Sequence, residues 1–127
     1  MNETAATLIK IGGIANIGWF VFHCFFWRLF NWGSQLKRLN DTNRGVMQVL
    51  NLCLSFIFLI FAAVSLLYAE ELCNSGLGRV MLIGIGGFWI LRLIEQPIFF
   101  GVSRISNLFS LLFAATAACY LTAWALR

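Results

Sequence analysis

The stretch VMQVLNLCLSFIFLIFAAVSLLY, residues 46–68, runs for twenty-three positions without one charged side chain. A helix rises about 1.5 Å per residue, so this run alone crosses the roughly 30 Å hydrocarbon core of a bilayer. Working outward, three more stretches have the same character: 8–30 before it, 77–100 and 105–126 after it. Four spans nearly exhaust a chain of 127 residues, 61% of them hydrophobic and only 11% charged. A water-soluble domain of this size has no interior large enough for that much apolar surface, and a disordered segment would need far more charge. The reading is an all-α, integral membrane, antiparallel up-down four-helix bundle forming a single domain over 1–127. The first span is expected to stay in the mature protein. Met-Asn-Glu-Thr opens it without a basic run, and no small-x-small cleavage site follows.

Lysine and arginine set the orientation. Arg28, Lys37, Arg38, Arg44, Arg92 and Arg104 flank the first and third connections, against Lys10, Arg79 and Arg127 on the other side. This bias places those two connections in the cytoplasm and both termini outside, with Lys10 pulling the other way. The net charge of +4 flanks spans and does not cover a soluble face, so the partner is expected to be the lipid bilayer and not nucleic acid. Trp27 and Trp32 at the inner boundary, and Tyr68, Tyr120 and Trp124 at the outer one, read as headgroup anchors. Trp32, Leu36 and Leu39, spaced i, i+4, i+7 beside Lys37 and Arg38, read as a short interfacial helix. Asn40-Asp41-Thr42-Asn43 caps the second span.

Inside lipid, small and polar residues mark the packed faces better than hydrophobic ones. The expected stripes are Gly12, Asn16, Trp19, His23, Phe26 and Phe30 in the first span, and Gln48, Asn51, Ser55, Phe58, Ala62 and Ser65 in the second. The third offers Gly84, Gly87 or Phe88, Leu91 and Glu95, and the fourth Asn107, Ser110, Ala114, Ala117, Leu121 and Trp124. Gly84-Ile85-Gly86-Gly87 has the letters of a phosphate loop but no strand before it, so close approach of another helix is the expected role. Pro97 is expected to end or kink the third span, since it removes a backbone donor and disfavours helix at Gln96.

Four helices deliver polar side chains to one depth in the cytoplasmic half: His23, Asn51, Arg92 with Glu95 and Gln96, and Asn107. The outer half holds mainly Gly, Ala, Ser, Leu and Phe. Charges at such depth cost a few kcal/mol on insertion scales, about 3 for Arg, so Arg92 and Glu95 should pair along the helix or reach water. One reading is interhelical glue, with Arg92 snorkelling to the inner headgroups. The other is a water-filled pocket or proton relay, in which His23 titrates near neutral pH and Glu95 supplies an acid. No metal or cofactor is expected. Cys24, Cys53, Cys73 and Cys119 lack C-x-x-C spacing, and a bis-histidine haem would need His23 from two copies. No nucleophile stands with a base, so an enzyme is not expected.

Three segments carry a resemblance: Phe-Trp-Arg-Leu-Phe at 26–30, Val-Met-Gln-Val-Leu-Asn-Leu-Cys-Leu at 46–54, and Gly-Phe-Trp-Ile-Leu-Arg-Leu-Ile-Glu-Gln-Pro-Ile-Phe-Phe at 87–100. They resemble small, uncharacterised four-helix integral membrane proteins of bacteria, over most of the chain. The resemblance implies a bacterial inner membrane and no particular activity. Small multidrug transporters are of similar size but place a glutamate in the first span, where this chain has Asn16 and His23. The paired cysteines of vitamin K epoxide reductase-like proteins are missing as well. Two functions remain open: binding or transport of a small ligand, ion or proton through the cluster, as a possible homodimer, and an accessory subunit docking on another membrane protein.

Overall fold

A computed structural model describes residues 2–127. It contains α1 (Glu3–Cys24), α2 (Phe26–Leu29), α3 (Trp32–Gln35) running into a 3₁₀ turn (Leu36–Arg38), α4 (Asp41–Leu67), α5 (Ala69–Asn74), α6 (Gly76–Phe100) and α7 (Arg104–Leu126). Among the described residues there is no strand. Helices α1, α4, α6 and α7 are each long and apolar enough to cross a membrane. Their outer faces carry Leu52, Phe56, Leu67, Leu77 and Ile98, all more than 60% exposed. That skin suits hydrocarbon and not water.

Side-chain capping explains where the helices begin. Asn2, Asn40, Ser75 and Ser103 each accept a hydrogen bond from the N–H three residues on, filling one of the donors that a helix start leaves open. The second span is therefore longer than its apolar run, since Asn40 starts the helix five residues before Val46. Helix α6 ends at Gly101, whose φ of 73° suits glycine, and not at Pro97. Pro97 sits in the last turn, so one lost backbone bond is absorbed without ending the helix there.

Helix α1 lies between α4 and α7, and α6 packs on α7. Every pairing is antiparallel. Gly13 abuts Ser65 and His23 meets Asn51 across α1 and α4; Gly12 abuts Tyr120 and Trp19 meets Thr116 across α1 and α7; Gly86 abuts Leu121 and Gln96 meets Ser106 across α6 and α7. Both chain ends gather at one pole, where Asn2 donates to the carbonyl of Leu126 and Arg127 donates to those of Leu72 and Ser75. Helices α4 and α6 meet through rings, Phe58 and Phe61 against Phe88 and Trp89.

The buried faces of α1 and α4 follow the expected stripes through Gly12, Asn16 and Trp19, and through Ser55, Phe58, Ala62 and Ser65. Those of α6 and α7 are turned. Helix α6 buries Gly78, Leu82, Ile85, Gly86, Trp89 and Gln96, while Leu91 is exposed. A Cβ placed on Gly84 or Gly87 would meet nothing within 4 Å, so the close approach belongs to Gly86 and, against the backbone of Leu72, to Gly78. Helix α7 buries Ser106, Phe113, Thr116, Ala117, Tyr120 and Ala123; Asn107 and Trp124 are exposed. Trp32 and Leu36 are buried, not laid against an interface, and Arg44 ties their turn to α4 through the carbonyls of Leu36 and Leu39.

Candidate functional site

At the pole away from the chain ends, the helices enclose a cleft of about 910 Å³. It reaches the upper part of the size range of pockets that hold drug-sized ligands, roughly 300–1,000 Å³. Its walls come from the ends of α1 and α6 and the starts of α4 and α7, with Phe26, Phe30 and Trp32 from the folded connection. Rings dominate. Trp89 stacks on Phe58 at 5.2 Å and on Phe113 at 5.7 Å between centroids, and Trp19 lies 4.8 Å from Phe113.

His23 stands in the last turn of α1, where the chain leaves the helix at Phe25. Its Nδ1 lies 3.0 Å from Oδ1 of Asn51, and the Asn51 amide reaches back to the His23 carbonyl at 3.4 Å. Because a carboxamide oxygen only accepts, Nδ1 is the donor of that bond. The ring stacks on Phe26 at 4.1 Å and sits 5.0 Å from Phe58. One imidazole thereby fastens α1 to α4.

Arg92 makes the expected i, i+3 ion pair with Glu95, at 3.9 Å, and a closer contact besides. Its Nη2 donates to Oε1 of Gln96 at 2.9 Å, whereas Nη1 stands 3.9 Å from Glu95, too far for a hydrogen bond. Gln96 in turn donates to Ser106 Oγ at 3.2 Å, and Ser106 donates to the carbonyl of Gly101 at 2.7 Å. All three bonds run in one direction, Arg92 to Gln96 to Ser106 to Gly101, so each group has its required role and α6 is joined to α7. The guanidinium carbon lies 4.6 Å from the Phe113 ring and 5.6 Å from that of Phe100, within cation–π range.

The structure brings His23, Arg92, Glu95 and Gln96 to the wall of one cleft, and Asn51 stands behind His23. No hydrogen bond joins His23 to Glu95 among the described residues. Asn107 is turned out, and Ser106 takes its place in the network. Trp89 lines the cleft with its indole N–H unpartnered. A second polar knot lies toward the chain ends. Asn16 donates to the Tyr120 hydroxyl at 2.8 Å and to the Gly12 carbonyl, while the Ser65 hydroxyl lies 2.7 Å from that of Tyr120 and bonds the Phe61 carbonyl. Tyr120 is fully buried, so its expected role as an outer headgroup anchor is corrected. The signal for this was present in Gly12, which leaves room for a ring on the facing helix.

Among the described residues, no three His, Cys, Asp or Glu side chains gather as a metal site, and all four cysteines are unpaired. No protein-family model, curated protein or solved structure matches the chain.

Proposed function

We propose that this protein is an up-down four-helix bundle of a bacterial inner membrane, with both termini outside, and that the cleft in its cytoplasmic half binds a small ligand for uptake into, or passage through, that leaflet. The observation that carries the reading is the cleft itself. A polar strip of His23, Arg92, Glu95 and Gln96 runs along a wall of aromatic rings. Few polar groups on a mostly apolar concave surface is the usual composition of small-molecule sites. Ionisable side chains inside a membrane span point to function when they meet in a cavity and not only in a packed seam.

The test is thermal unfolding of the purified protein in neutral detergent against a panel of amphiphiles and metabolites. A saturable upward shift with one chemical class, lost when Leu54→Trp fills the wall of the cleft, supports the reading. Absence of any shift across the panel overturns it. A second reading, docking on another membrane protein, draws on Gly84 and Gly87, which leave open space on the outer face of α6 where a further helix backbone fits. Gly84→Leu would then break a detergent-stable complex while leaving ligand-induced shifts untouched.

A further inference from the structure

We infer that the ligand of this cleft is an amphiphile with an oxyanion head, a carboxylate or phosphate, received by Arg92 while an apolar tail lies on the aromatic wall; the inference rests on the ligand-binding reading above. A guanidinium carries five N–H donors in a planar fork. Only the bond to Gln96 engages them, because Glu95 is beyond hydrogen-bond reach at 3.9 Å. The Arg92 side chain is 27% exposed and Glu95 40%, so the carboxylate is the partner nearer to water and the cation the one nearer to the rings. The guanidinium is also fixed in place. Gln96 is anchored through Ser106 to Gly101, and the charge lies over the rings of Phe113 and Phe100. A pre-positioned fork with unengaged donors matches the two oxygens of a carboxylate or phosphate.

A second donor points the same way. Trp89 precedes Arg92 by three residues, on the same face of α6, and its buried indole N–H has no partner. Indole nitrogen donates only. His23, by contrast, has its N–H engaged by Asn51. The open donors of the strip are those of Arg92, with the sealed Trp89 N–H unmet beside them, while its open carboxylate, Glu95, stands nearer to water; the ring-side position therefore selects an acceptor-rich head. A cationic head would have to displace or face a fixed Arg92, and a neutral one would leave these donors unmet. The remaining wall is hydrocarbon and rings, suited to a tail and not to a free inorganic anion.

The experiment uses the full chain in maltoside micelles at about pH 8, where a carboxyl group is ionised. Tryptophan quenching is followed with three probes that share one dibrominated long-chain tail: the carboxylate, its methyl ester and the corresponding primary amine. Trp19 and Trp89 in the cleft report occupancy, and competition by the unbrominated compound separates it from quenching at exposed tryptophans. The expected result is saturable, competed quenching in which the carboxylate binds roughly tenfold more tightly than the ester. Arg92→Gln should bring carboxylate down to ester affinity, Arg92→Lys should keep part of the preference, and Glu95→Gln should tighten the carboxylate severalfold. Equal affinity of carboxylate and ester on the unaltered protein overturns the inference, and that comparison needs no variant to fold. Tightest binding of the amine, lost in Glu95→Gln, overturns it too, by making Glu95 the head-group ligand. Failure of all three probes to quench saturably overturns the ligand-binding reading itself. In nanodiscs, competition by phosphatidylglycerol upholds the oxyanion site and assigns it to a lipid headgroup; indifference to that lipid upholds it for a free amphiphile.

Discussion

The hydroxyl of Tyr120 accepts a hydrogen bond from Asn16 and donates one to Ser65, which itself donates to the Phe61 carbonyl. Three helices meet at that one oxygen. Tyr120→Phe keeps the ring against Gly12 but strips both bonds and leaves Asn16, whose Oδ1 is already unpartnered, with only its own helix. Interhelical hydrogen bonds in membranes average about 0.6 kcal/mol with a maximum near 1.7, so the expected loss is about 1 kcal/mol, read from reversible unfolding in mixed micelles. Adding Asn16→Leu should cost less than the sum of the two single changes, because both remove the same bond. Around Arg92 the closer partner is Gln96 and not Glu95. Glu95→Gln removes a distant, half-exposed partner, whereas Gln96→Leu strips the one bonded acceptor and the link to Ser106. Gln96→Leu should therefore be the more damaging to stability, by about 1–3 kcal/mol for a cation left without its acceptor. Equal effects of the two would overturn that order.

Gly12 and Gly84 differ as elements of packing although both are helical glycines in apolar runs. A Cβ on Gly12 would stand 2.6 Å from the Tyr120 ring, which is rigid and tied by two hydrogen bonds, while one on Gly84 would meet nothing. Gly12→Ala should destabilise by about 1–3 kcal/mol through overpacking, and Gly84→Ala should be neutral or gain up to about 1 kcal/mol from helix propensity. Parallel unfolding curves of the two variants check this. The same contrast explains what the sequence could and could not reveal about the faces. In α1 and α4, evenly spaced polar groups such as Asn16, His23, Asn51 and Ser65 mark the inward side, because lipid leaves them no other partner. In α6, glycine was the marker, and glycine signals a packed face only where a neighbour comes close, which the run Gly84-Ile85-Gly86-Gly87 does not disclose. A one-residue error turns a helix by about 100°. In α7, Ser106 and Asn107 are both polar neighbours of the Ser103 cap, in a first turn that ends near water, so composition could not choose between them. That His23, Arg92, Glu95 and Gln96 stand toward one end of the bundle was legible from spacing. The Gln96 to Ser106 link was not, since it depends on the turn at Gly101.

For the molecule as a whole, the decisive quantity is which pole faces the cytoplasm, since that decides from which side the cleft fills. Both termini share one pole, joined by Asn2 and Leu126, and the cleft lies at the other. The cleft pole carries Arg28, Lys37, Arg38, Arg44 and Arg104 beside its connections, and the terminal pole Lys10, Arg79 and Arg127. Arg92 belongs to the cleft wall and not to a loop, so the bias is five against three and leans on the exposed Lys37 and Arg38 of the first connection. Cationic side chains near short connections resist translocation, so the proposed orientation keeps the cleft pole inside and has both termini cross. Reporter fusions after Arg127 should accordingly give an enzyme active only in the periplasm and a dark cytoplasmic fluorophore. Replacing Lys37 and Arg38 with glutamine reduces the balance to parity, and a mixed population of both orientations is the expected outcome. Adding Lys10→Gln to that pair should restore a single orientation, because it removes the one cation set against the first span's outward start. A cytoplasmic C-terminus in the unaltered protein would invert the scheme and open the cleft to the periplasmic leaflet.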